Sequence, residues 1–271
     1  MKTFEILENI RNERRRGSTG LAYMVLDAYR TLAFESRDIA ADVSKLSYMI
    51  ENLRPAMPLI ARFSREIVKR LSKPTPEELL HAVEIVQNTY RKMLDELVKV
   101  AVSALTDVRC LATLSHSGSV EAVLKNHSGL RRLFVLESRP LREGLLLASS
   151  VSKHVDVEVF VDAAMAYAVE EADAVVVGAD AVFADGSFSG KIGVRPLAMA
   201  AKELGKSFYV LADTWKFSEK FVNEFGPPND VAAEHAARNP VFEKVDAKFV
   251  TWFLTEKKAT EPRSIHSLIT E

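Results

Sequence analysis

The chain has 271 residues, of which 48% are hydrophobic, and its 36 lysine and arginine residues nearly balance 37 aspartate and glutamate residues. A net charge of -1 argues against a general nucleic-acid-binding or membrane-surface protein, although it is compatible with a local cationic pocket. The single cysteine, Cys110, excludes an intrachain disulfide. Because we see neither a signal-peptide pattern nor an apolar run of the roughly 18 residues that span a bilayer, we expect a cytoplasmic protein without membrane contact.

Glycine usage divides the sequence into two parts. Of the 11 glycines, Gly17 and Gly20 are the two that precede residue 118. Long helices disfavour glycine, whereas the tight turns of α/β folds use it. We therefore predict an α/β protein with a helical N-terminal domain over residues 1–105, followed by a Rossmann-like domain with a mainly parallel sheet over residues 106–271.

The N-terminal part has helical periodicity. Apolar residues from Ile39 to Leu53 recur at steps of four and three, which places them on one helix face. The segment Thr75-Pro76-Glu77-Glu78 has the pattern of a capping box with proline at the first helical position. An apolar stripe from Leu79 to Ala101 then predicts a helix of about seven turns that links the two domains.

After residue 106 the pattern changes to short apolar runs separated by helix-length amphipathic segments. Each run has the length of a buried parallel strand, and such sheets bind ligands beyond the carboxyl ends of their strands. The amphipathic segments include Leu141–Val151 and Pro196–Leu204. The apolar runs are Cys110–Leu114, Leu133–Leu136, Val157–Val161, Ala174–Val177 and Phe208–Leu211.

The strongest local feature follows the fourth run. Gly178-Ala179-Asp180 ends a buried strand, and Asp185-Gly186 suits a tight turn between two short strands. Gly190-Lys191-Ile192-Gly193 predicts a turn before a helix near Pro196, whose backbone N–H groups would approach an anion. The alternative is that Asp180 caps a turn and that Lys191 is a solvated surface lysine.

Two further segments have the composition of anion sites. Arg14-Arg15-Arg16-Gly17-Ser18 suits a phosphate clamp, because arginine makes bidentate contacts, although most charge runs are solvated helix ends. Ser115-His116-Ser117-Gly118 follows a predicted strand, but adjacent Ser and His are weak evidence for a hydrolase, since triad partners meet in space. The histidine spacing indicates no metal site, and the absence of a Gly-x-Gly-x-x-Gly motif disfavours a dinucleotide cofactor, so we expect neither.

Taken in this order, the segments resemble one protein family. It contains the alpha, beta and delta subunits of translation initiation factor two-B, their archaeal relatives, and isomerases of methylthioribose 1-phosphate and ribose 1,5-bisphosphate. The resemblance runs from Arg16-Gly17 to Asn239-Pro240-Val241-Phe242-Glu243. It implies a helical domain joined to a Rossmann-like domain, with a phosphorylated sugar or nucleotide bound between them.

The resemblance also implies the residues of the site. Arg16-Gly17, with the adjacent Ser18, and Arg54-Pro55 match phosphate-binding pairs of the isomerases. Asp180 matches their catalytic aspartate. Lys191-Ile192-Gly193 matches an Asn-Lys-x-Gly-Thr motif in which Gly190 replaces the asparagine.

Two more segments carry the resemblance. Glu137-Ser138-Arg139-Pro140 matches a strand-end segment, with Glu143 where the isomerases have glutamine. The segment Ala212-Asp213-Thr214-Trp215-Lys216-Phe217 looks like the Ala-Glu-Thr-Tyr-Lys-Phe of the initiation-factor and ribose-bisphosphate branches. These matches make Arg139 and Glu143 candidate ligand-binding residues.

The chain departs from the isomerases at Ser117. They have His-Cys where this chain has His116-Ser117, and their cysteine is understood to pair with the aspartate for proton transfer. A thiol titrates near pH 8.5, whereas a serine hydroxyl needs an adjacent base. Cys110 lies seven residues earlier and cannot replace that thiol without a shifted register.

We therefore predict a non-catalytic or weakly catalytic member that resembles the regulatory subunits, acting in translation initiation or as a metabolite-sensing subunit. The alternative is a sugar-phosphate aldose–ketose isomerase with Asp180 and Ser117 at the catalytic positions and His116 near the ligand. Arg16, Arg54 and Lys191 should converge on one anion site, and backbone N–H groups should keep Asp180 ionised.

The expected partners are a phosphorylated small molecule and a second copy of the chain. The resemblance and the apolar stretch Phe249–Leu254 favour a homodimer built through the Rossmann-like domain, although the stretch also suits an ordinary core. Other translation-initiation proteins are further candidate partners. Direct nucleic-acid binding is not expected.

Overall fold

The computed structural model describes residues 2–270. Its first part consists of helices that pack around a shared apolar core, as the glycine distribution predicts. Apolar residues from the second half of the chain, including Trp215 and Phe242, also pack into this core, so the two parts are in close contact. The helices are α1 (Thr3–Asn12), α2 (Ser18–Glu35), α3 (Ile39–Glu51), α4 (Pro58–Val68) and α5 (Pro76–Ala104).

The two predicted helices form with the expected ends and faces. The α3 residues Ile39, Val43 and Ile50 are buried. At the start of α5, the Thr75 hydroxyl accepts a hydrogen bond from the backbone N–H of Glu78 (3.2 Å). The Glu78 carboxylate, however, accepts the N–H groups of Ser72 and Lys73 instead of reaching back to Thr75, so only half of the capping box forms.

Helix α5 takes part in two cores. Its Tyr90 is buried among the N-terminal helices, whereas Leu97 and Ala101 pack on the sheet described below. This arrangement agrees with the predicted linking helix. The division between residues 105 and 106 stays a prediction, because the last turns of α5 pack with the second part of the chain.

The second part is a seven-stranded sheet of order β10-β9-β7-β4-β1-β2-β3, in which all neighbouring strands are parallel except β10 and β9. An antiparallel sheet of order β5-β6-β8 lies beside it. The strands are β1 (Cys110–Leu114), β2 (Arg132–Leu136), β3 (Asp156–Phe160), β4 (Ala174–Gly178), β5 (Ala181–Val182), β6 (Phe188–Lys191), β7 (Ser207–Leu211), β8 (Phe242–Val245), β9 (Trp252–Leu254) and β10 (Ala259–Thr260). The remaining helices are α6 (Gly118–Asn126), α7 (Glu143–Val151), α8 (Met165–Glu171), α9 (Val194–Glu203) and α10 (Ser267–Thr270).

The five predicted strands agree with the structure to within one residue at each end. One expectation is wrong: β3 is not buried, because it is the last strand of the sheet and its outer side has no neighbouring strand. Val159 in this strand is 46% exposed. The predicted turn at Asp185-Gly186 does connect two short antiparallel strands, β5 and β6.

The C-terminal segment is part of the sheet. Phe253 and Leu254 are fully buried in β9, and the chain returns as β10. Ile265 and Leu268 then pack against the same core as the sheet. Within the apolar stretch Phe249–Leu254, Val250, Phe253 and Leu254 are therefore ordinary core and give no support to a dimer.

Candidate functional site

A cavity of about 470 Å³ lies where the N-terminal helices meet the carboxyl ends of the parallel strands. This is the edge at which parallel α/β sheets bind ligands. Most of the predicted site residues line it: Arg16, Gly17, Ser18, Arg54, His116, Ser117, Glu143, Asp180 and Lys191. The segments predicted to form one site are thus brought together, and their roles in binding stay predictions.

Arg139 and Gly190 do not line this cavity. The Arg139 side chain is exposed, and its backbone N–H is held by the Asp162 carboxylate (2.7 Å). Gly190 is a strand residue of β6, paired with Glu243 of β8. The predicted turn over residues 190–193 is wrong at Gly190 and Lys191, because these residues pair with β8; the turn before α9 is formed by Ile192 and Gly193.

The N-terminus of α9 was also predicted to bind an anionic ligand, but in the structure it binds the Glu243 carboxylate. Gly193 adopts a positive φ of 99°, and its N–H donates to Glu243 Oε1 (2.6 Å). The N–H of Arg195 donates to the same oxygen (3.0 Å). A protein carboxylate thus occupies the position that was predicted for a ligand.

Asp180 follows β4 and has some access to the cavity. Burial raises the pKa of its carboxyl, and the positive charges of Lys216, Lys191 and Arg54 oppose this shift without cancelling it. The Ser18 hydroxyl also hydrogen-bonds to the carboxylate. The expectation that backbone N–H groups keep Asp180 ionised is wrong in direction, because desolvation dominates.

Ser117 lies beside the end of the strand that carries Asp180. It precedes the first residue of α6, and its side chain does not cap that helix. Gly178 gives it room, since a Cβ atom on Gly178 would lie 2.2 Å from Ser117 Oγ. The neighbouring His116 is held by Glu121, whose Oε2 lies 2.6 Å from its Nε2.

The loops after β1 and β2 brace one another. Ser115 and Ser138 both have positive φ values, 62° and 63°, which are uncommon for residues other than glycine. The backbone N–H of Ser115 donates to Ser138 Oγ (2.6 Å), and the N–H of Ser138 donates to Asp162 (2.8 Å). Such backbone strain is often found at functional sites.

The cationic side chains of the cavity mostly have carboxylate partners. Lys191 Nζ lies 2.5 Å from Oε1 of Glu143, and the second oxygen of this 1% exposed glutamate has no hydrogen-bond partner among residues 2–270. Arg54 is bound by Glu224. Arg16, by contrast, is largely exposed, and its nearest carboxylate, Glu13, is 3.7 Å away.

Sequence reasoning missed a buried polar cluster behind Asp180. Lys216, which is 2% exposed, lines the cavity, and its Nζ lies 3.8 Å from Asp213 Oδ2. Asp213 is fully buried, and burial raises the pKa of its carboxyl. The Tyr90 hydroxyl donates to Asp213 (3.1 Å) and lies 3.3 Å from the Thr19 hydroxyl. The signal available in the sequence was the matched segment 212–217, whose two charged residues, Asp213 and Lys216, belong to this cluster.

A model of the initiation factor 2 subunit family matches residues 14–262. The chain belongs to this family. The match covers the cavity and both parts of the fold, and it confirms the resemblance found from the motifs.

Relatives within the family have different names. A ribose 1,5-bisphosphate isomerase from Archaeoglobus fulgidus is 28% identical over 100% of this chain and 93% of its own length. The translation initiation factor eIF-2B of Pyrococcus horikoshii has the same fold, with a TM-score of 0.87 and 25% identity over 96% of this chain and 97% of its own. A tetrameric eIF2B-beta2-delta2 complex from C. thermophilum supports the fold alone, with a TM-score of 0.71 and 17% identity over 99% of this chain and 93% of its own. Relatives named as isomerases weaken the expectation that a family member of this kind is non-catalytic.

Within residues 2–270, no group of three or more His, Cys, Asp or Glu side chains is arranged to hold a metal ion. In the same part of the chain, no helix has the length and apolar character needed to cross a membrane.

Proposed function

We propose that the cavity binds a phosphorylated sugar and interconverts its aldose and ketose forms. The observation that carries the proposal is the environment of Asp180, which combines burial with three nearby cations, Lys216, Lys191 and Arg54. Burial that raises the pKa of a carboxyl brings it closer to the working range of a general acid or base. The relative named ribose 1,5-bisphosphate isomerase supports the same activity.

The N-terminal helical part of the chain would supply the residues that bind the phosphate. The N-terminus of α2, at Gly17 and Ser18, lines the cavity and has no side-chain cap. Uncapped N–H groups at the start of an 18-residue helix attract anions, and Arg16 adds a positive charge beside them. Arg54 is a second candidate contact for the phosphate, and in this structure it is paired with the Glu224 carboxylate.

The sugar itself would meet polar atoms on the sheet side. Glu143 has a buried oxygen without a hydrogen-bond partner in the described part of the chain, which is unusual for a buried carboxylate. A sugar hydroxyl is a suitable donor for that oxygen. This orphaned acceptor supports a polyhydroxyl ligand over an apolar one.

In ribose 1,5-bisphosphate C1 bears the ring oxygen and a phosphate in place of a free aldehyde, so isomerisation moves the proton on C2 to C1, breaks the bond between C1 and the ring oxygen, and passes the proton of the C2 hydroxyl to that oxygen. Asp180 would accept the first proton and return it. Lys216 would stabilise the negative charge on the released ring oxygen, protonate it and take up the proton of the C2 hydroxyl. In this scheme a thiol is not required, which reconciles Ser117 with isomerase chemistry.

A second candidate, a non-catalytic metabolite-sensing subunit, is favoured by Ser117 itself. Without a thiol, general acid–base catalysis loses a group that is typically worth about 10²–10⁴-fold. Incubation of the purified protein with ribose 1,5-bisphosphate, followed by NMR, separates the two candidates. An isomerase accumulates ribulose 1,5-bisphosphate, whereas a sensor binds the sugar and leaves it unchanged.

A further inference from the structure

The segment 218–241, here called the flap, forms one wall of the cavity. It connects the short helix Thr214–Lys216 to β8. The N–H of Val241 donates to the carbonyl of Glu224 and the N–H of Gly226 donates to that of Asn239, both at 2.8 Å. These bonds join the backbone at Glu224 and Gly226 to the C-terminal end of the flap and fix the backbone at Glu224.

Glu224 holds the guanidinium of Arg54. Nε of Arg54 lies 3.1 and 3.0 Å from the two carboxylate oxygens, and Nη2 lies 2.9 Å from Oε2. Nη1 donates to the carbonyls of Ile10 (3.2 Å) and Glu13 (2.9 Å). Each nitrogen of Arg54 therefore has a protein partner. The guanidinium nitrogens that could bind a phosphate bidentately bind a carboxylate instead.

The two partners differ in how firmly they are held. The Arg54 side chain is 7% exposed and is anchored by two backbone carbonyls, whereas the Glu224 side chain is 20% exposed. Glu224 can therefore leave the pair and be hydrated, but Arg54 cannot follow it. When an anionic ligand replaces Glu224 on Arg54, the carboxylate therefore moves and the guanidinium stays in place.

A second ion pair also joins a carboxylate of the flap to a cationic side chain of the cavity. Asp230 binds Arg14, which also lines the cavity. Seven cationic side chains and four carboxylates line the cavity, and two of those four carboxylates belong to the flap. The flap thus lowers the positive charge that the cavity presents to an anion.

We propose that the Glu224 carboxylate competes with the phosphate of the ligand for Arg54, so that phosphate binding and release of this carboxylate are one equilibrium. The inference rests on the proposed phosphorylated ligand. A phosphate dianion makes the same bidentate contact with twice the charge, and it displaces the carboxylate. Ligands that do not reach Arg54 leave the pair intact.

The test is calorimetric titration of the full chain with ribose 5-phosphate, and with ribose as the uncharged control. Glu224→Gln keeps the size of the side chain but removes its charge. It should tighten ribose 5-phosphate binding by about tenfold, the equivalent of one charge-assisted hydrogen bond. Binding of ribose should not change. Glu219→Gln, an exposed position in the same flap, is the matched control and should have little effect.

Glu224→Asp guards against a folding defect, since it keeps the charge and should tighten binding less than Gln does. If the wild type binds ribose 5-phosphate and Glu224→Gln, with an unchanged melting temperature, binds it equally or more weakly, Glu224 positions Arg54 and the inference is overturned. If neither protein binds it, the proposed function fails and the inference fails with it.

Discussion

Ser117 Oγ occupies the space that a side chain at Gly178 would need. A Cβ atom at Gly178 would lie 2.2 Å from this oxygen and 2.7 Å from Ser117 Cβ. The contact joins the loop after β1 to the end of β4, two residues before Asp180. The two candidate catalytic positions are thus coupled by packing as well as by their shared cavity.

The first prediction is that Gly178→Ala destabilises the protein by about 1–3 kcal/mol, because overpacking forces the Ser117 loop to move. Adding Ser117→Gly should recover much of this loss, since it removes the atoms that clash. Gly20→Ala in α2 is the control, where a Cβ meets ordinary contacts of 3.6 Å and the change should stabilise by roughly 0.5–1 kcal/mol. Urea unfolding measures all four proteins. A double variant no more stable than Gly178→Ala would place the strain elsewhere.

The second prediction concerns the hydrogen bond from Tyr90 to Asp213. Tyr90→Phe should cost about 1.5–3 kcal/mol, because it removes a donor from a buried carboxyl group. Tyr29→Phe is the matched control: Tyr29 is equally buried, but its hydroxyl lies 2.6 Å from the neutral Ser64 hydroxyl, and the loss should be about 0.5–1.5 kcal/mol. Equal losses in the two unfolding curves would mean that the Asp213 cluster adds nothing beyond an ordinary hydrogen bond.

The third prediction follows from the raised pKa of Asp180. Between the pKa of the unfolded chain, about 3.9, and the raised pKa of the native state, the native state holds more protons, so this group lowers stability as pH rises. Asp180→Asn removes that effect, and its melting temperature relative to the wild type should rise from pH 4 to pH 8.

Glu78 provides a control for the third prediction, because the pKa of its carboxyl is shifted in the opposite direction. Hydrogen bonds from the backbone and side chain of Ser72 lower the pKa of the Glu78 carboxyl. Its contribution to stability is therefore present at neutral pH and is lost in acid, so Glu78→Gln should be more harmful at pH 7 than at pH 3. If Asp180→Asn instead follows the Glu78→Gln trend and loses stability relative to the wild type as pH rises, the direction given for Asp180 is wrong.

The fourth prediction is the homodimer that the family resemblance led us to expect from the sequence. Small-angle scattering at micromolar concentration should give about twice the 30.1 kDa chain mass. A mass of one chain would contradict the prediction. Since Val250, Phe253 and Leu254 are buried in the core, substitutions there would report on folding and not on association.

The sequence predicted the parallel sheet well because each buried strand is a short apolar run, as at Cys110–Leu114. It failed at Gly190-Lys191, where glycine suggested a turn but antiparallel pairing made a strand. It also gave no sign that β3 lies at an edge, since strand order depends on contacts between distant segments.

For the site, the motifs identified Asp180, Arg54 and Lys191, but not the groups that surround them. Glu224 and Lys216 are single charged residues whose role depends on where the fold places them. Glu224 is 170 residues from Arg54 in sequence, in a flap without helical or strand periodicity. Such pairings are visible only in three dimensions.

The most direct test of the central claim is the rate of conversion of ribose 1,5-bisphosphate to ribulose 1,5-bisphosphate, followed by coupled carboxylation. The account predicts turnover by the wild type that survives in Ser117→Ala but falls by at least about 10²-fold in Asp180→Asn, the loss expected for one acid–base group. Binding of the sugar without turnover in the wild type, or turnover in Asp180→Asn equal to that of the wild type, would contradict it.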